Sequence, residues 1–551
     1  MRERAYRLMK EWCDTLLSYS VKSHSPHLDG AILCPACHVI HGRIADLVFP
    51  LTLLYVKTGE YDYLEKANRL IEWSQYCLSR PDGSWRNDAG HEWKGITAFS
   101  AMSIGEALYH FGDKLPREMY DAWLAQLIQL SDFVYEKLLQ IQPVINYCAG
   151  TACEQAIAWK LTGDQKYLEK ANEAEAICRG QFDENGLLFG EGTPIDTKTA
   201  AGCRYIDIGY DMEESLPLLL RYASLTGRQE EFYRKRFRDH MEFLLPDGGI
   251  DNSWGSRHNK WTWWGSRTSD GMIEGLALVL DEPLFADACE RVLSLYESCT
   301  HDGLLGLPMA VQAGEPTCLH HSFCHAKALA ALVLSEPAEV SRTVLPCESG
   351  YGMKFFQNGN VALVSHRGWR ATVSADDVCR YPGAENGGGS MTLLMHGKTP
   401  VCAATTREYY PAEPLNMQYL RNADQTSCMT PRLVFENGSD NLTESGVTLM
   451  QTGACALCAQ GEDWKIGYSF GEKVTITVES AHPAKFILPI IRSGEIVVGD
   501  NVLRIGKIVM RAEKFSCTPD VYGFHQVGGF IWLPIAVEVQ RKCEITIEVE
   551  G

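Results

Sequence analysis

Apolar positions recur at helical spacing from the N-terminus to about residue 340. The period predicts helices over 4–18, 41–57, 61–77, 97–111, 119–139, 146–161, 165–179, 211–224, 229–245, 268–280, 283–297 and 322–334, with almost no strand signal between them. Leu-Tyr-Val-Lys-Thr-Gly-Glu-Tyr-Asp-Tyr-Leu-Glu-Lys-Ala-Asn at 54–68 returns at 161–172 as Leu-Thr-Gly-Asp-Gln-Lys-Tyr-Leu-Glu-Lys-Ala-Asn, and a weaker copy lies at 223–232. Each copy sets a Gly C-cap between an apolar helix end and an amphipathic helix, which makes a helical hairpin. Stacked hairpins share a core, and about six closing on themselves give an α/α toroid, with an open superhelix as the competing arrangement.

Past Pro346 the texture changes to short β-branched and aromatic runs at 361–365, 371–374, 391–396, 447–455, 465–468, 474–479, 486–491, 502–505, 508–511, 530–534 and 545–549. Turn signals at Asn358, Asn437 and Gly499 punctuate them. This half predicts an antiparallel β-sandwich. The expected fold is therefore α+β and multidomain, with a toroid over 1–340 and a sandwich over 341–551. The boundary falls near 335–350.

The chain has 551 residues, 45% of them hydrophobic, which suits two large cores. A formal charge of −19 argues against nucleic acid or an anionic membrane surface as partner, though a local basic pocket can still take an anionic substrate. No apolar run reaches about 18 residues and the N-terminus lacks the apolar core of a signal peptide, so the expectation is a soluble, cytoplasmic protein. The 20 cysteines are scattered through apolar contexts and read as reduced, buried thiols. Acidic charge and a large sandwich are compatible with a homo-oligomer.

Candidate chemistry gathers in a few stretches. The segment 247–271 carries Trp254, Trp261, Trp263 and Trp264 beside Arg257, Arg267, Asp251 and Asp270, broken by five glycines. It predicts a surface loop that stacks indoles on sugar rings and holds a sugar carboxylate through arginine. Cys34, Cys37, His38 and His41 crowd into eight residues, but adjacent Cys37 and His38 point apart. Those four cannot readily share one tetrahedron, so the expectation is no metal, with His41 and Arg43 turned into a cleft. Trp85 to Lys94 reads as a polar loop whose Asn87, Asp88 and His91 could line the same rim. Glu191, between Gly190 and Gly192, joins Asp207, Tyr210 and Asp211 as candidates for the paired carboxyls and proton donor that glycoside hydrolysis needs. Asp211 is equally well placed as a helix N-cap, with Glu213 and Glu214 in the first turn.

CPACHVIHGR, GEGTP, DIGYDMEESLP and DNSWGSR…KWTWWGSRTSDG together resemble heparinase II/III-like carbohydrate-active proteins. The resemblance implies an α/α toroid with a β-sandwich acting on uronate-containing glycans. In the lyases of that group a histidine-bearing strand enters the cleft near the start of the sandwich. Here Glu385, Asn386 and three glycines stand in its place, and the GGGSMTLL…EPLNMQ texture is similar to the related β-glucuronidase-type hydrolases. The expectation is a glycoside hydrolase that releases a terminal, β-linked glucuronate from an oligosaccharide or glycoside without a cofactor. Glu191 is the expected acid, Asp207 the second carboxylate and Tyr210 the assistant. His41, Arg43, Asn146, Arg257, Trp261, Trp264, Arg267 and Asp270 are expected to bind the sugar. The alternatives are a uronate lyase, with Tyr210 as acid/base and Asn146 or Arg257 on the carboxylate, and a glycan-binding protein without catalysis.

Overall fold

The computed structural model describes every residue except 89–91, 193, 267–268, 307–315, 379–382, 384, 405–427, 518–522 and 526–529. Two kinds of helix build the N-terminal part. Arg2–Ser18, Tyr61–Leu78, Arg117–Phe133, Gln165–Arg179, Glu230–His240 and Pro283–Ser298 each keep a polar outer face. Val48–Thr58, Ile96–Phe111, Ile145–Thr162, Leu216–Thr226, Ile273–Leu276 and Leu319–Leu334 are buried nearly all round, as inner staves must be. Each inner helix neighbours the next, and Leu319–Leu334 packs on both Arg2–Ser18 and Val48–Thr58, so the ring closes into a toroid. Gly105 lets two inner helices touch, since a Cβ there would lie 2.5 Å from Ile157.

The Thr-Gly repeat has a physical meaning. Thr58, Thr162 and Thr226 each donate their hydroxyl to the carbonyl four residues back. Each also accepts the amide two residues ahead. The following glycines, 59, 163 and 227, turn the chain at φ 77°, 75° and 69°. The expected helix over 268–280 shrinks to Ile273–Leu276, because the aromatic loop before it runs on to Gly271. The one over 41–57 opens as a tighter turn, Gly42–Leu47, and that over 229–245 ends in another, Met241–Phe243.

The C-terminal part is antiparallel. In a five-stranded sheet (Gly352–Phe356, Val361–His366, Trp369–Ser374, Ser390–His396, Thr399–Ala403) the three central strands are buried on both faces. Val361, Leu363, Leu393 and Met395 join the core of the toroid, while Ala362, Val364, Ala371 and Val373 join the core of the sandwich. Opposite lies an eight-stranded sheet, whose strand Trp464–Phe470 alternates buried and exposed residues as a half-solvated strand should. A third sheet runs through Arg432–Phe435, Ala484–Ile491, Phe530–Val539 and Phe515–Cys517, with Gly523–His525 paired to Phe530–Val539. Its strand expected to stop at Pro534 continues to Val539: Pro534 faces Pro489, and on its other side lies between the partners Phe515–Cys517 and Gly523–His525. Among the described residues, no neighbour there needs its missing N–H.

Candidate active site at the mouth of the helical ring

The inner helices begin at the mouth that faces the sandwich, and the site residues sit at those starts. Asn146 and Tyr147 open Ile145–Thr162, whose first amide donates to Gly190 O at 3.1 Å and so brings Glu191 alongside. Asp207 caps the next inner helix by accepting Tyr210 N at 2.9 Å, so Asp207 and not Asp211 is the cap. That helix then widens over Asp211–Ser215 into an i→i+5 turn, a feature often met at functional sites. Both following carboxylates are buried there: Glu213 accepts from Ser266 N at 2.5 Å, and Glu214 accepts Asn146 Nδ2 at 2.9 Å.

The described residues of the loop 247–271 do not lie at the surface. They are held between ring and sandwich, where Asp251 accepts from Arg370 at 3.0 Å and from Thr372, Ser253 meets Thr392 at 2.9 Å, and Gly255 N donates to Asp376 at 3.3 Å. Asn386 donates to Ser253 O, so the stretch expected to mark a histidine strand clamps this loop instead. Gly387 belongs there because a Cβ would strike the Asp376 carbonyl at 2.0 Å. The tryptophans are the loop's own core. Trp261 is 0% exposed and donates to Ile250 O at 2.6 Å, while Trp264, also 0%, sets its edge on His321 at 5.5 Å. Neither is a sugar platform as the sequence reading had it.

Around Tyr210 the loop delivers charge. Arg257 lies over the phenol ring, 4.3 Å from its centroid, and reaches Glu191 at 3.1 Å. Lys260 Nζ is 3.3 Å from Tyr210 Oη. His258 Nδ1 is 2.7 Å from Gly255 O, which must accept, so Nδ1 carries a proton. Burial pushes the Asp207 carboxyl up to about 7, with Glu191 adding like-charge repulsion. Burial likewise raises Glu214 to about 8 and Asp211 well above the ordinary carboxylate value.

Arg43 and Asp270 belong elsewhere. Arg43 bonds Asp46 at 2.5 Å and Asp270, and Lys327 bonds Asp270 at 2.7 Å. Burial works against its charge, but Arg43 and Lys327 hold the Asp270 carboxyl below its usual value. This closed network leaves neither residue for a substrate carboxylate. His41 turns toward Cys318, with Nε2 3.6 Å from the sulfur, and not into the site. The expectation of no metal considered only nearby residues; the fold sets His38 at φ 58° and supplies Cys318 from the far end of the ring. Arg267 and His91 lie outside the described residues, as does the EPLNMQ segment. The sequence reading missed Lys260, His258, Lys327 and Cys318. His258 and Lys260 stand one and three residues after Arg257 and could have been weighed with it; the distant Lys327 and Cys318 carry no local signal.

A closed helical ring whose inner helices open onto an antiparallel sandwich is the architecture of the toroid-and-sandwich polysaccharide lyases of known structure. The Streptomyces coelicolor A3 chondroitin AC lyase shares it at TM-score 0.59 and 13% identity, covering 100% of this chain and 79% of that one. Heparinase III shares it at TM-score 0.56 and 12% identity, covering 92% and 76%. The chain belongs to the ulvan lyase family: the family's N-terminal domain model matches residues 9–346 and its C-terminal domain model residues 353–446. The broad-specificity ulvan lyase of Formosa agariphila is 35% identical over 441 residues, spanning 77% of this chain and 69% of that one. Membership overturns the expected glycoside hydrolase and the likeness to β-glucuronidases, while the heparinase-like part of the resemblance stands. The geometry agrees, since Glu191, the expected hydrolytic acid, faces a guanidinium.

Proposed function

We propose that this protein is a polysaccharide lyase that cleaves ulvan, beside a uronate, by β-elimination. The observation that supports it most is Tyr210, a phenol set between Arg257 and Lys260 in a family of lyases. β-Elimination removes the proton on the carbon next to the uronate carboxyl, then breaks the bond from the neighbouring carbon to the glycosidic oxygen. That oxygen leaves with a proton, and the sugar keeps a new C=C bond. The proton being removed is weakly acidic until the carboxylate charge is offset, which is work for the Arg257 guanidinium and for the Asn146 Nδ2 amide, which in the free protein donates to Glu214 at 2.9 Å. Tyr210 serves as acid/base, and the two cations stabilise the phenolate formed on the way.

Incubation with ulvan while following ultraviolet absorbance tests this. The expected result is oligosaccharides bearing the absorbance of an unsaturated uronate, and at least about a hundredfold loss of rate in Tyr210→Phe with polymer binding retained. Release of saturated ends without absorbance, or near-normal turnover by Tyr210→Phe, would overturn the reading.

A further inference from the structure

Away from Tyr210, four soft ligands meet at the seam where the helical ring closes. Cys34, Cys37 and His41 lie between the first outer helix, Arg2–Ser18, and the first inner helix, Val48–Thr58. Cys318 immediately precedes the last inner helix, Leu319–Leu334. Their ligand atoms all lie within 4.8 Å of one another. We propose that Cys34, Cys37, His41 and Cys318 bind one zinc ion that staples the first and last hairpins of the toroid together.

Geometry is the main argument. A tetrahedral zinc with bonds of about 2.3 Å to sulfur and about 2.0–2.1 Å to nitrogen has edges of about 3.8 Å between sulfurs and about 3.5 Å from sulfur to nitrogen. The cluster shows 3.4 Å from Cys37 to Cys318, 3.9 Å from Cys34 to Cys318, and 3.6 Å from Cys318 to His41 Nε2. Those sulfur separations are far beyond a disulfide bond of about 2.0 Å. Thiols are weak hydrogen-bonding groups, so three of them converging with an imidazole gain little from one another without a cation.

The surroundings are built for thiolates. The turn is closed by Cys34 N on Val39 O at 2.9 Å and His38 N on Cys34 O at 3.0 Å. It points Cys37 N at Cys34 Sγ, 3.4 Å away, a donor suited to a sulfur bearing negative charge. Cys318 sits at the positive end of a helix of 16 residues. Cys34 and Cys318 are fully buried and His41 is 2% exposed, while Cys37 is half-buried at the outer edge, so three of the four ligands are shielded from solvent, as those of a structural zinc are. A second convergence of metal-type ligands among the described residues, Asp46, Asp270 and Cys324, already contains Arg43 and Lys327 as its cations.

Elemental analysis of the intact chain purified without chelator is the test. One zinc per chain that survives dialysis is expected, with an X-ray absorption edge showing three sulfurs and one nitrogen. Cys37→Ser and Cys318→Ser should each lose the zinc. Stripping the wild type with a strong chelator should lower its Tm by about 5 °C or more, and added zinc should restore it. If a variant fails to fold, the absorption edge of the wild type still decides the ligand set. The proposal is overturned if wild-type protein given excess zinc under reducing conditions retains none. It is equally overturned by a ligand shell without sulfur, by zinc that persists in either variant, or by a disulfide joining two of these cysteines.

Discussion

Glu191 stands between Gly190, at φ 119°, and Gly192, where a Cβ would lie 2.8 Å from Tyr205. The glycines let the backbone pass close to the ring mouth, and that exposed their neighbour to sequence reasoning. Its task did not show, because the partner that defines it, Arg257, comes from a distant loop. A carboxylate ionically tied to the guanidinium that offsets the substrate's charge is a positioning group. Glu191→Gln should therefore lower kcat/KM on ulvan by roughly tenfold, less than the loss in Tyr210→Phe, and without a solvent-exposed defect that changes Tm. A loss as deep as that of the tyrosine variant would make it a direct participant; an unchanged rate would free Arg257 from it. Cys318 shows the opposite limit, a residue whose meaning exists only once the ring has closed.

Among the elements, the inner helix Ile145–Thr162 combines a legible pattern with a hidden charge. Its Thr-Gly end could be read directly from the repeat. Glu154 could not, because nothing local says that it faces Ser131 at 2.5 Å and Gln155 at 2.7 Å inside the ring. Burial pushes its carboxyl up to about 7 despite those two donors. The folded chain then keeps a proton that the unfolded chain releases from about pH 4.5 upward. The folded state binds more protons across that window, so stability falls as pH rises, and the penalty is complete above about 7. Glu154→Gln cannot titrate. Relative to wild type it should gain stability between pH 5 and pH 8, by on the order of 2–3 kcal/mol, in denaturant titrations at both values. A difference independent of pH would show that this carboxyl ionises normally in the fold. The element that resisted reading, 268–280, shrank because the loop before it runs on to Gly271, at φ 108°, and leaves only Ile273–Leu276 helical.

At the scale of the whole molecule, the two-part plan was plain in the change from helical to alternating periodicity. The contact between the parts was not: Asp251 stands beside the loop arginines in the sequence, yet it is buried against Arg370 of the first sheet. The shared mouth also reconciles an acidic chain with an acidic polymer. The longer inner helices start there, each presenting the equivalent of about half a positive charge within its first turn. That field is short-ranged, whereas the formal −19 acts across the surroundings. An approaching polyanion is thus turned away at a distance and welcomed only on contact. Added salt shortens the reach of the repulsion to about 8–10 Å near 0.1–0.15 M while barely touching dipoles shielded from water. Capture of ulvan, measured as kcat/KM, should rise as ionic strength climbs from about 0.01 M to that range, the reverse of what a cationic polyanion binder shows; a steady fall would mean that the mouth projects its charge outward. On that expectation, the protein works faster in brine than in fresh water.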